Sequence, residues 1–258
     1  MKVIILCGGL GTRLREETEF RPKPLVEIGG RPILWHIMKT YAHFGFSEFV
    51  LTLGYKGNLI KEYFLNYEAM NNDLTIQLGS QSKVSFHGQH DEQDFTVSLI
   101  ETGYDSQTGS RVKRVERYVD GDTFMVTYGD GVANIDIRKL LDFHHAHGRM
   151  ATISTVRMPG RFGVVESDPT GRVTNFREKP AHSDFISMGY FVFQRSVFDV
   201  LSADPTCILE RDPLERLARE GQLMTYRHEG DFYPMDTVRD HAFLNDLWNR
   251  NKASWRVG

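Results

Sequence analysis

Lys2-Val3-Ile4-Ile5-Leu6 runs straight into Cys7-Gly8-Gly9-Leu10-Gly11-Thr12-Arg13-Leu14, and the fold turns on how this junction is read. A short Val/Ile/Leu run that stops at glycines reads as a parallel strand buried on both faces. The glycines let the chain turn sharply and bring backbone N–H groups close to an anion, with no Cβ in the way. Arg13 closes the loop with a fixed positive charge and forked donors.

Working outward, a helical stretch from Ile33 to His43 leads to a second apolar run, Phe49 to Leu53. A third strand is predicted at Thr123 to Thr127, ending in Gly129-Asp130-Gly131. Asp136 to His147 then reads as a helix, with Ile137, Leu140, Leu141 and His144 at helical spacing, followed by the β-branched run Ala151 to Val156. The alternation predicts an α/β fold, a Rossmann-like, mostly parallel sheet with helices on both faces. Short runs at Phe162 to Glu166, Val173 to Phe176 and Tyr190 to Phe193 predict a smaller, partly antiparallel region, and Arg239 to Trp248 a C-terminal helix. No repeat, low-complexity tract or flexible linker interrupts the 258 residues, so a single domain is expected.

Composition narrows the function. Hydrophobic residues at 40% and charged residues at 25% allow a sizeable core. A formal net charge of −3 argues against nucleic acid or a membrane surface as the main partner, while leaving room for a local basic cleft. Cys7 and Cys207 alone exclude a disulfide framework, and no apolar run reaches the roughly 18 residues of a spanning helix. A cytoplasmic protein is expected.

Two familiar phosphate loops fail the test. A Walker loop would end in Gly-Lys-Ser/Thr, which is absent. A dinucleotide fingerprint would place a small residue at Leu14 and reach a second strand where Arg21-Pro22-Lys23-Pro24 stands. A tight turn with no ligand stays open on the loop alone. Prolines on either side of Lys23 stiffen its backbone, which suits an ammonium aimed into a phosphate site, as it does a solvated surface lysine.

Asp130, between two glycines at the end of a predicted strand, and Asp236, in Pro234-Met235-Asp236-Thr237, are candidates to share a Mg²⁺ with nucleotide phosphates. Each is also an ordinary turn or cap aspartate when taken singly. His144 and His147 could face a metal but lack a supporting Cys or carboxylate, and satisfied helix-end histidines are the better reading. Cys7 has no His at a motif-like position to activate it and reads as packing.

Further blocks recur along the chain: Gly54-Tyr55-Lys56-Gly57, Thr102-Gly103 with Thr108 to Val115, Pro159 to Gly163, Phe176-Arg177-Glu178-Lys179-Pro180 and Pro234 to Asp240. Together with Leu6 to Leu14, Arg21 to Met38 and Thr127 to Val132, they resemble the sugar-1-phosphate nucleotidyltransferases over nearly the whole sequence. The segment Thr102-Gly103 and Thr108 to Arg111 resembles the cytidylyl branch of that family.

The resemblance implies that Leu6, Cys7, Gly8, Gly9, Leu10, Gly11, Thr12, Arg13, Lys23, Ser106, Arg111 and Gly129 contact the nucleotide. It implies Asp130 and Asp236 as Mg²⁺ ligands, Arg13, Lys23 and Asp130 as catalytic, and Glu178, Lys179, Ser187 and Gly189 as sugar-phosphate contacts. Nucleotide binding would fall within residues up to about 135, acceptor binding within about 136–240, and the C-terminal helix at about 239–250.

The implied reaction transfers a cytidylyl group from CTP to a sugar 1-phosphate, with glucose as the sugar, in a homo-oligomer. Ser187-Met188-Gly189 stands where that branch has Asn-Gly-Gly, so other acceptors stay open, as do UTP or dTTP in place of CTP. A catalytically silent sensor or scaffold is the alternative of another class.

Overall fold

The computed structural model describes residues 1–79, 83–90, 92, 94–157, 164–177 and 185–257. A seven-stranded sheet forms its centre, in the order Leu223–His228, Ala151–Val156, Ile186–Gln194, Thr123–Tyr128, Lys2–Leu6, Glu48–Leu53, Thr96–Glu101. All run parallel except Ile186–Gln194, which is antiparallel to both neighbours. The mostly parallel α/β sheet expected from the sequence is therefore present, with one correction. Tyr190 to Phe193 belongs to the middle of this sheet and not to a separate smaller region.

Lys2–Leu6 is the hinge of the topology. Val3 and Ile5 enter the core on one face, with Met125, Leu51 and helix Ile33–His43, while Ile4 and Leu6 enter the other with Val50, Phe124 and Val126. Burial on both faces explains why this strand reads as a continuous apolar run and not as an alternation. Removing a side chain as large as Ile5 from such a core costs about 2–5 kcal/mol.

The remaining expectations fall close to the observed elements. Helices occupy Ile33–His43, Ile137–His147, capped by the Asp136 carboxylate accepting from Lys139 N, and Val238–Asn249. Val164–Ser167 and Val173–Arg177 form a two-stranded antiparallel ladder, while residues 162 and 163 of the first run lie outside the described residues. Short ladders pair Glu27–Ile28 with Arg31–Pro32 and Gly131–Ala133 with Phe232–Pro234. A hairpin of Asp73–Gln77 and Lys83–His87 puts Leu74, Ile76, Val84 and Phe86 on one face and Asp73, Thr75, Ser85 and His87 on the other. Among the described residues no helix is long and apolar enough to cross a membrane.

Candidate active site

The first strand sits where the chain changes direction across the sheet. From Leu6 the path leads to Glu48–Leu53 on one side, and it returns later to Thr123–Tyr128 on the other. The carboxyl ends of Lys2–Leu6 and Thr123–Tyr128 therefore border a crevice at a topological switch point, the place where open α/β sheets bind ligands. Gly129 N donates to Leu6 O at 3.1 Å, which draws the two loops together. A Cβ on Gly129 would come within 2.8 Å of that same carbonyl. Gly11 is left-handed, with φ 64°, and Thr18 Oγ1 donates to its carbonyl at 3.0 Å.

Four charged side chains meet in the crevice. Lys23 opens a one-turn 3₁₀ helix, held between Pro22 and Pro24, and its side chain is only 11% exposed. Its ammonium donates to Asp130 Oδ2 at 2.7 Å and to Asp236 Oδ1 at 2.9 Å. Arg13, at the exposed tip of the glycine loop, reaches Asp236 Oδ2 at 3.5 Å. Burial opposes the charge on Lys23, but the two carboxylates outweigh it and hold its pKa above the ordinary lysine value.

The aspartates are neighbours because their backbones are paired. Asp130 precedes strand Gly131–Ala133, Asp236 follows strand Phe232–Pro234, and the two strands form an antiparallel ladder. Met235 N closes it by donating to Asp130 O at 2.9 Å. On the far side, Asp240 Oδ2 accepts from the backbone N–H of Asp236 at 3.2 Å and of Thr237 at 2.9 Å. Thr237 Oγ1 accepts in return from Asp240 N, forming a capping box at the start of the last helix.

Arg111 bolts the loops around the crevice. Its guanidinium donates to the carbonyls of Leu53 at 2.9 Å, Gly103 at 2.9 Å, Gly8 at 3.0 Å and Tyr104 at 3.2 Å, and to Thr102 Oγ1 at 2.8 Å. A Cβ on Gly8 would overlap this guanidinium. Arg114 continues the pattern, donating to Thr102 O at 2.7 Å and Ser106 Oγ at 2.9 Å. The crevice encloses a cavity of about 330 Å³, lined by residues of the glycine loop, Lys23, Ser106 to Thr108, Arg111 and the segment Tyr128 to Asp130, with Asp236. That volume lies at the low end of the size of small-molecule sites.

Residues 2–238 match the sequence profile of the family described as Nucleotidyl transferase. The chain belongs to that family. Within the nucleotidyl transferases it is 47% identical to the glucose-1-phosphate cytidylyltransferase of Salmonella typhi, over 100% of this chain and 99% of the relative. It is 42% identical to the probable glucose-1-phosphate cytidylyltransferase of Bacillus subtilis strain 168, over 100% of both. Among solved structures, HddC from Yersinia pseudotuberculosis complexed with GMP-PN superposes with a TM-score of 0.70 at 21% identity, over 96% of this chain and 99% of that one. This last likeness speaks for the fold.

Of the expected nucleotide contacts, Leu6, Cys7, Gly8, Gly9, Gly11, Thr12, Arg13, Lys23, Ser106, Arg111 and Gly129 border the cavity of this nucleotidyl transferase. Leu10 does not line it and is 48% exposed. Glu178 and Lys179 lie outside the described residues. Ser187 and Gly189 do not line the cavity: Gly189 N donates to Ser187 Oγ at 3.2 Å, and a Cβ on Gly189, which stands at φ 75°, would overlap the ring of Tyr128, a cavity residue. Met188 is turned into the core, so its bulk does not reach the surface where hydroxyls would be recognised.

Cys7 is buried, and desolvation pushes its thiol far up, which disfavours the thiolate and agrees with a packing role. His144 Nδ1 and His147 Nε2 both meet Thr152 Oγ1, at 2.8 and 2.7 Å.

Other interactions at the crevice escaped the sequence reading. Asp240 could have been found from the Thr-x-x-acid spacing of a capping box. Tyr128 and Thr108 stand inside blocks already quoted, but their joint donation to the Glu210 carboxylate has no local signal, because Glu210 arrives from a segment far along the chain.

The donor set fits a divalent cation. Two carboxylates on one cavity wall, one of them beside glycines, offer hard oxygen ligands and leave room for phosphate oxygens and water, the coordination Mg²⁺ favours. Among the described residues no group of three or more His, Cys, Asp or Glu forms an all-protein cage.

Proposed function

We propose that this chain transfers a cytidylyl group from CTP to a sugar 1-phosphate, α-D-glucose 1-phosphate first among them, and releases pyrophosphate. The observation that carries the reading is the meeting of Lys23, Asp130 and Asp236 beside the glycine loop at the switch point of the sheet. The acceptor phosphate oxygen attacks the α-phosphorus as the bond to pyrophosphate breaks. No protein nucleophile is needed, because the acceptor is already an anion.

The chain's own part is to position two polyanions and offset their repulsion. Backbone N–H groups of the glycine loop receive the triphosphate, with Arg13 and Lys23 as its cationic partners. Asp130 and Asp236 would hold Mg²⁺, which supplies charge neutralisation at the phosphates. Segments up to about residue 135 would carry the nucleotide, and those from about 136 to 240 the acceptor, including Ser187 and Gly189. Full-length similarity to two cytidylyltransferases supports the choice of base and sugar.

The test is pyrophosphate release from CTP, UTP and dTTP against a panel of sugar 1-phosphates. CTP with α-D-glucose 1-phosphate is expected to exceed the other pairs in kcat/KM by about 10²-fold or more. Equal turnover with UTP or dTTP overturns the base assignment. Binding without turnover throughout would leave a sensor in place of an enzyme.

A further inference from the structure

The Lys23 ammonium lies between the two carboxylates to which the preceding section assigns the metal, 2.7 Å from one and 2.9 Å from the other. It therefore stands in the position of the cation it would accompany. We infer that Lys23 is a placeholder: in the free protein it occupies the divalent site, and the triphosphate draws it away, so that the metal enters with the nucleotide and not before it. This inference rests on the proposed metal site of Asp130 and Asp236.

Three features support it. The backbone at Lys23 is fixed by Pro22 and Pro24, so the moving part is the flexible four-carbon stem of the side chain. The ammonium borders the same cavity as the glycine loop, within reach of a phosphate chain lying there. Arg13, the other cation on Asp236, is 77% exposed along its side chain, so solvent screens its hold on that carboxylate. With Lys23 in place the two carboxylates are already neutralised in part, and a second cation meets repulsion from the ammonium. Withdrawal of the ammonium toward the phosphates removes the positive charge shared by both carboxylates, and affinity for a divalent ion rises. An isolated metal would then not occupy the crevice unproductively.

The experiment is Mn²⁺ binding, followed by electron paramagnetic resonance of the free ion, with no turnover required. Native protein without nucleotide is expected to bind Mn²⁺ weakly. Lys23→Gln, also without nucleotide, should bind one ion at least about tenfold more tightly, since the competing charge is gone. Lys23→Arg keeps the charge and should stay as weak as the native chain. Adding Asp130→Asn to Lys23→Gln should abolish the gain.

If Lys23→Gln binds no better than native protein, while native protein with a non-hydrolysable CTP analogue takes up an ion that Asp130→Asn removes, the placeholder is wrong and the metal site stands. If Asp130→Asn changes uptake in neither state, the metal site fails and takes this inference with it. Should the Lys23 variants fold poorly, the native chain decides alone: tight Mn²⁺ binding without nucleotide overturns the inference.

Discussion

Arg111 shows how a single residue can serve a ligand site by shaping its walls. Five hydrogen bonds tie its guanidinium to Leu53, Thr102, Gly103, Tyr104 and Gly8, so it shapes the loops that would hold the phosphates. A lysine has no planar fork to replace these bonds. Arg111→Lys is expected to raise the KM for the triphosphate about tenfold or more, and to lower stability by about 1–3 kcal/mol through the carbonyls left unpaired. Steady-state kinetics with a denaturant melt would check both.

Asp236→Ala differs in kind. It removes one anion from a partly exposed cluster, so the fold should persist while kcat falls by about 10²–10³, by analogy with the loss of one charge-stabilising donor. Near-native turnover with Mg²⁺ in that variant would take Asp236 out of the mechanism. Lys23 was legible in the sequence because its flanking prolines mark a rigid point. The structural part played by Arg111 was not, because its carbonyl partners come from three separate stretches of chain.

At the scale of elements, the ladder between Gly131–Ala133 and Phe232–Pro234 is what makes two aspartates a pair. The last helix then fixes the second of them through the Asp240 carboxylate. Asp240→Ala is expected to cost about 1 kcal/mol as a lost cap. It should also loosen Asp236, seen as weaker Mn²⁺ uptake and a lower kcat, whereas Asp240→Asn, which keeps an acceptor oxygen, should recover much of both. A purely structural role would lower the melting temperature and leave metal uptake unchanged.

Lys2–Leu6, Glu48–Leu53 and Thr123–Tyr128 were readable as apolar runs because the sheet buries them on both faces, whereas Thr96–Glu101, a partly exposed edge strand, went unread. Leu223–His228 was not readable either, since it is an edge strand with polar residues facing water. The three-residue ladder strands are too short to carry any periodicity. Their pairing depends on tertiary contact.

At the scale of the whole molecule, His36 reports on closure of the chain. It lies beneath Trp248 and Trp255, with ring centroids 4.8 and 6.4 Å away, and its Nε2–H donates to Ile28 O at 2.9 Å. Burial pushes its pKa down from 6.5 to about 4. The unfolded chain therefore binds a proton in this window that the folded chain refuses. Stability conferred by His36 is complete above about pH 6.5, is lost as pH falls toward 4, and amounts to up to about 3 kcal/mol. Urea melts at several pH values should show a slope of this sign, and His36→Gln should reduce it, the remainder coming from His144, which burial also pushes down to about 4.

The switch point sets the chemistry at one edge of the sheet, because the glycine loop, Asp130 and Lys23 all gather beyond the carboxyl ends of the strands. The opposite edge carries the exposed turn at Gly121 that enters Thr123–Tyr128. At about 3.3 Å per residue, that strand keeps the turn about 20 Å from the cavity. A fluorophore, a surface tether or a fused carrier attached there would leave the crevice open to solvent and its loops unburdened.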